Sequence, residues 1–211
     1  MALARFLTLS ALGAIAVVIG LSGCSAPALD AEAKPTITVP AIDPGPVALS
    51  EAEAGDRYLS IVCPINIATN ALNAAYAAGE DEYLNGGTPD VSAVVAAATT
   101  IRDQQRLAIE QLDDTYFEWP GVVAEQAPHI RSAYMANMAV VSAIAGATDF
   151  ETAYSTPAAA STPEEDAAGQ EIRYQLGLSA DTDASCAGFE DGLTTLSTAK
   201  TERDAALSKQ D

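Results

Sequence analysis

The sequence predicts an all-α protein: an up-and-down bundle of four to five helices behind a disordered N-terminal tether. Three observations point there. Apolar residues make up 49% of the chain but aromatics only 6%, and the surplus is largely alanine, which suits close-packed helices better than a β-sandwich. Apolar positions recur at spacings of three and four, with no strand alternation of any length. Helix starts are marked by capping boxes at Ser50 with Glu53 and at Thr162 with Glu165. The 211 residues divide into segments 1–23, 24–48 and a helical domain over 49–211.

The first segment begins with one cation, Arg5, followed by an uncharged apolar run over residues 6–20, FLTLSALGAIAVVIG. A membrane span needs about 20 such residues, so the run has the length of a signal-peptide core instead. Directly behind it stands Leu21-Ser22-Gly23-Cys24. An aliphatic residue, two small residues and a cysteine in this place resemble the lipobox of bacterial lipoprotein signal peptides. The resemblance implies a signal peptide over 1–23 and a diacylglyceryl thioether on Cys24, which becomes the mature N-terminus. It further implies a partner, the membrane, reached through that lipid, and a location on the extracytoplasmic face of the cell membrane. With much alanine, three lysines and seven arginines, the composition resembles that of high-GC Gram-positive bacterial proteins, and together with the lipobox the chain looks like an envelope lipoprotein of such a bacterium. Two acyl chains hold a protein stably on a bilayer where one does so only marginally.

Residues 24–48 contain Pro27, Pro35, Pro40, Pro44 and Pro46 and no amphipathic period. Proline favours extended chain at about 3 Å per residue, so this segment is expected to be a stalk. The whole chain carries a net charge of −19. Loss of residues 1–23 leaves nine cations against 29 acids, a net charge of −20. Such a chain is repelled by nucleic acid and by anionic headgroups.

The first helix is expected from its Ser50 cap through Ala54, Tyr58, Ile61, Ile65, Ala68, Leu72 and Tyr76 to a stop at Gly79. The stretch 79–87, GEDEYLNGG, is expected as loop. A second helix is expected from a Thr88 cap, with Pro89 and Asp90 in its first turn, along Val91, Val94, Val95, Ala98, Ile101, Ala108 and Leu112. A third should start near Pro128 and run at least to Ala145, facing inward through Ile130, Tyr134, Met138, Val141 and Ile144. A fourth opens at Thr162-Pro163, buries Ala168, Ile172 and Leu176, and closes at Gly177. The stretch 179–185 is expected as loop, before a last helix through Phe189, Leu193 and Leu196.

If Cys24 carries lipid, Cys63 and Cys186 remain in an oxidising compartment. One intramolecular pairing is then possible, and the expectation is a Cys63–Cys186 disulfide, against two separate buried thiols. For so long a loop the chain-entropy model gives about 5 kcal/mol. At about 100° per residue, Cys63 shares a face with Asn66, Asn70 and Asn73, which are expected either to hold loop backbone near 179–186 or to face water. Pro64 removes the bond to the Ser60 carbonyl and is expected to bend the helix there.

No motif for catalysis emerges. Cys63-Pro64-Ile65-Asn66 has one thiol where a redox motif needs two. His129 is the single histidine and is expected as a helix-start residue; a zinc site or a triad needs more partners. Asp181, Asp183 and Ser185 match the first calcium-loop positions, but the sixth is Cys186 and the twelfth Gly192. The acids of 79–82 and Asp113-Asp114 are expected in solvated loops. Tyr116, Phe117 and Trp119 are expected to plug a bundle end rather than form an exposed patch. The expectation is therefore a non-catalytic envelope lipoprotein with an interaction or structural role and an envelope protein as partner, needing no cofactor or metal. The alternative is a ligand- or ion-binding module using a pocket between helices.

Overall fold

The computed structural model describes residues 45–210. The expected signal peptide over 1–23, the expected lipid site Cys24 and the expected tether up to residue 44 lie outside the described residues. Within them the protein is an all-α bundle. Its elements are β1 (Val47–Ala48), α1 (Glu51–Leu84), α2 (Ser92–Leu112), β2 (Phe117–Glu118), α3 (Gly121–Ala145), α4 (Phe150–Tyr154), α5 (Pro163–Gln175), α6 (Thr182–Cys186) and α7 (Gly192–Leu207). Five of the helices are long and two span five residues each. α2 packs between α1 and α3, α5 packs on α3, and α7 closes against α1 and α2. No helix among the described residues is long and apolar enough to cross a membrane.

α1 starts at the expected cap. The Ser50 hydroxyl accepts from Glu53 N–H at 3.3 Å, and Ser50 N–H donates to the Glu53 carboxylate at 2.9 Å. The helix then runs 34 residues and buries Tyr58, Ile61, Ile65, Ala68 and Leu72 as its spacing predicts. It does not stop at Gly79. Gly79 is buried inside it, and a Cβ there would stand 2.5 Å from the Phe150 ring. This glycine makes room for an aromatic neighbour, and the helix passes through the expected loop to Leu84. α1 also continues unbroken through Pro64. The carbonyl that Pro64 leaves without its i+4 donor belongs to Ser60, and α7 lands there: a Cβ on Gly192 would lie 2.5 Å from the Ser60 Cα. A small residue on one helix and a freed carbonyl on the other let the two backbones approach, the setting for Cα–H···O contact.

α2 starts later than expected. Thr88, Pro89 and Asp90 precede the helix, and Asp90 instead accepts from the Ser92 N–H and hydroxyl, 3.0 and 2.7 Å away. Its inner face is the expected one, with buried Gln105 and Gln111 added. α3 starts seven residues before Pro128, which therefore lies exposed inside the helix rather than at its start. It ends at Ala145, and α4 is a separate short helix capped by Asp149. α5 has the expected capping box and first-turn proline. The expected loop at 179–185 contains α6, capped by Asp181, whose carboxylate accepts from Ala184 N–H at 3.0 Å. The end of the tether segment, 45–48, is ordered on the bundle through β1, which pairs in parallel with β2, Val47 opposite Phe117. Its signal is absent from the sequence because a two-residue strand has no period to detect.

Candidate functional site

Cys63 and Cys186 form a disulfide, with Cα atoms 5.1 Å apart and both side chains buried. It joins the middle of α1 to the end of α6. The segment leading to Cys186 is held by Arg173 of α5, whose guanidinium donates to the Ser179 carbonyl at 2.7 Å and the Ser185 hydroxyl at 2.9 Å. Asn70 also reaches this segment, but its amide donates to the Asp183 carboxylate at 3.3 Å and not to backbone. Asp181, Asp183 and Ser185, the residues of the calcium-like spacing, thus each have a protein partner. Among the described residues no group of three or more His, Cys, Asp or Glu is placed to hold a metal ion.

A second polar cluster was hidden in the sequence. Arg57 of α1 is 8% exposed and donates to the Gln111 side chain at 3.1 Å and to Asp114 at 3.4 Å. Arg203 of α7 grips both oxygens of the same Asp114, at 2.8 and 3.1 Å. The expectation that Asp113 and Asp114 are solvated holds for Asp113, which pairs with Arg131 at the surface. It fails for Asp114, whose side chain is 4% exposed. The aromatic segment explains the burial. The Arg57 guanidinium lies 4.2 Å from the Phe117 ring centre and that of Arg203 4.2 Å from Tyr116, close enough for cation–π attraction. Tyr116, Phe117 and Trp119 therefore plug this end of the bundle. Burial pushes the Arg57 pKa down to about 10, with Asp114 opposing the fall. Arg57 sits three residues after Ala54 and four before Ile61, on the buried stripe itself, and that misplaced charge was the readable signal. His129, eight residues into α3 and half-buried, is not a helix-start residue.

The third feature is a cleft of about 580 Å³ between α1, α3 and α4, floored by Ile101 of α2. Leu72, Val141, Ile144 and Ala153 give it an apolar base. Polar groups stand at its rim: Asn73, Tyr76 and Glu80 from α1, Asn137 from α3 and Tyr154 from α4. Tyr154 donates its hydroxyl to the Glu80 carboxylate at 2.7 Å, and Tyr76 donates to the Ala153 carbonyl at 3.0 Å. The hydrogen bond to Glu80, and that carboxylate's charge, raise the Tyr154 pKa. Tyr154 is framed by other rings, with Tyr76 at 6.0 Å, Tyr83 at 5.3 Å and Phe150 stacked at 5.8 Å between centres. No Lys, Arg or His among the described residues lines the cleft. Glu80 was expected in a solvated loop; it lies on α1 because the helix does not end at Gly79. Tyr76, Glu80 and Tyr83 have helical spacing, the signal that an early helix stop concealed.

Fold and site together define a disulfide-linked helical bundle with a paired charge cluster at one end of α1 and a cleft at the other. Comparison with protein-family models, curated proteins and solved structures finds no match.

Proposed function

We propose that the protein is a lipid-anchored envelope lipoprotein that holds its helical bundle at the extracytoplasmic face of the cell membrane and has a non-catalytic interaction or structural role. The observation that carries this reading is Leu21-Ser22-Gly23-Cys24 directly behind an uncharged apolar run. The Cys63–Cys186 disulfide supports it, because such bonds persist in oxidising compartments. The acidic charge of −19 fits a partner other than nucleic acid. The test is fractionation of bacteria expressing the full chain. The protein should sediment with membranes and enter a detergent phase, and Cys24→Ser should move it to the soluble fraction. Unchanged distribution of the variant contradicts the reading.

A second reading, a ligand-binding module, is favoured by one observation: the cleft between α1, α3 and α4. At about 580 Å³ it falls within the range of small-molecule sites, and its apolar base with a few convergent polar groups is their usual composition.

A further inference from the structure

We propose that the cleft between α1, α3 and α4 takes an organic cation with an apolar body, its ammonium group held by Glu80 and the rings of Tyr76 and Tyr154. The inference rests on the ligand-binding reading and names the ligand class. Among the described residues, Glu80 is the one carboxylate lining the cleft, and no basic side chain lines it. An anion entering would lose hydration, meet Glu80 and find no countercharge. A cation meets the opposite case, and the acidic surface of the chain draws it in. One carboxylate is too few for a bare metal ion, which needs several oxygen ligands.

The rings narrow the choice further. Glu80 is four residues beyond Tyr76 on α1, so both face the cleft one turn apart. Tyr154 reaches the same carboxylate from α4. Tyr76 and Tyr154 line the cleft with Glu80, and an ammonium drawn to that carboxylate would gain cation–π attraction wherever it comes within about 6 Å of either ring centre. Leu72, Ile101, Val141 and Ile144 are buried beneath and accept an aliphatic or aromatic body. Asn73 and Asn137 line the cleft from α1 and α3, and among the described residues neither side chain has a hydrogen-bond partner. Their amides are free to orient the ligand.

The experiment compares three probes that share one body: 4-phenylbutylamine, 4-phenylbutanol and 4-phenylbutyrate. Each is titrated calorimetrically into the full chain in nanodiscs, with empty nanodiscs subtracted. The amine should bind at least about tenfold more tightly than the alcohol, a difference of the size a carboxylate with two rings supplies. The butyrate should not bind. Glu80→Gln should bring the amine down to the alcohol, with an unchanged thermal midpoint. Tyr154→Phe, which keeps the ring, should retain the preference, and Tyr154→Leu should weaken it. In the wild type the preference should shrink with added salt, which keeps the test in force if Glu80→Gln folds poorly. Equal binding of all three probes overturns the cation assignment and leaves the binding module standing. Binding of none overturns both, while membrane fractionation judges the anchor separately.

Discussion

The two ends of α1 are finished in opposite ways. Near its start, Arg57 is buried with Asp114 and Gln111, beside the half-buried Arg203 and the rings of Phe117 and Tyr116. Near its end, Glu80 and Tyr154 share one hydrogen bond at the mouth of an open cleft. Both places combine charge with aromatic rings. At the first, the buried carboxylate is paired with two guanidinium groups from different helices. At the second, the carboxylate has one neutral donor and remains half-buried. A sealed, paired charge fixes helices relative to one another; an open, singly bonded one is available to a ligand.

Breaking the sealed end should have the largest effect. Asp114→Ala strips the shared partner from the buried Arg57 and the half-buried Arg203. Removing one member of a buried ion pair typically costs about 3–5 kcal/mol, and urea denaturation should show a loss of that order. The same measurement on Glu80→Gln should show almost none, since the group is not sealed in. Comparable losses at the two positions would erase the distinction between the ends.

Opening the disulfide comes next. Cys63→Ser with Cys186→Ser should lower stability by about 2–5 kcal/mol, read by the same denaturation. The bond ties α1 to α6 between the two ends, so the loss should leave the Arg57–Asp114–Arg203 cluster in place. Gly79→Ala should have a smaller effect. Its Cβ meets the buried Phe150 ring, and overpacking costs about 1–3 kcal/mol, offset in part by the better helix propensity of alanine. Because Phe150 stacks on Tyr154, this variant should also weaken binding in the cleft, which Asp114→Ala should spare in whatever fraction stays folded.

Acid should act mildly, at the carboxylates that cap helices, and the cap of α4 gives the clearest readout at the cleft. The Asp149 carboxylate accepts the Thr152 N–H at the start of α4 and is held below the usual carboxylate range by that bond. A folded pKa below the unfolded one means that its contribution is present above the ordinary Asp value of about 3.9 and is lost as pH falls through the lowered value. Amide hydrogen exchange should show α4, with Tyr154, losing protection over that acid window while the α1–α2 core stays protected. Loss of α4 protection near neutral pH would contradict this cap.

How much of this was legible depends on whether the signal was local. The Ser50 and Thr162 capping boxes and the stripe from Tyr58 to Leu72 are local, and they lie where the sequence places them. The pairing of Cys63 with Cys186 followed from counting. Gly79 shows the limit. A glycine at the end of an apolar stripe looks like a stop, and only the Phe150 ring, about 70 residues away, makes it a packing position. Glu80 was lost with it. Asp114 was hidden for a related reason: adjacent acids look solvated until Arg57 and Arg203 arrive from distant helices. Arg57 could have been found, since a charge on a buried stripe demands a partner.

Mass spectrometry of the protein recovered from membranes tests most directly the proposal of a lipid anchor and an extracytoplasmic location for the disulfide-linked bundle. The expected result is a chain that begins at Cys24 with a thioether-linked diacylglyceryl group, and in which Cys63 and Cys186 resist alkylation until reduced. A chain that retains Met1, carries no lipid and has both thiols free would contradict it.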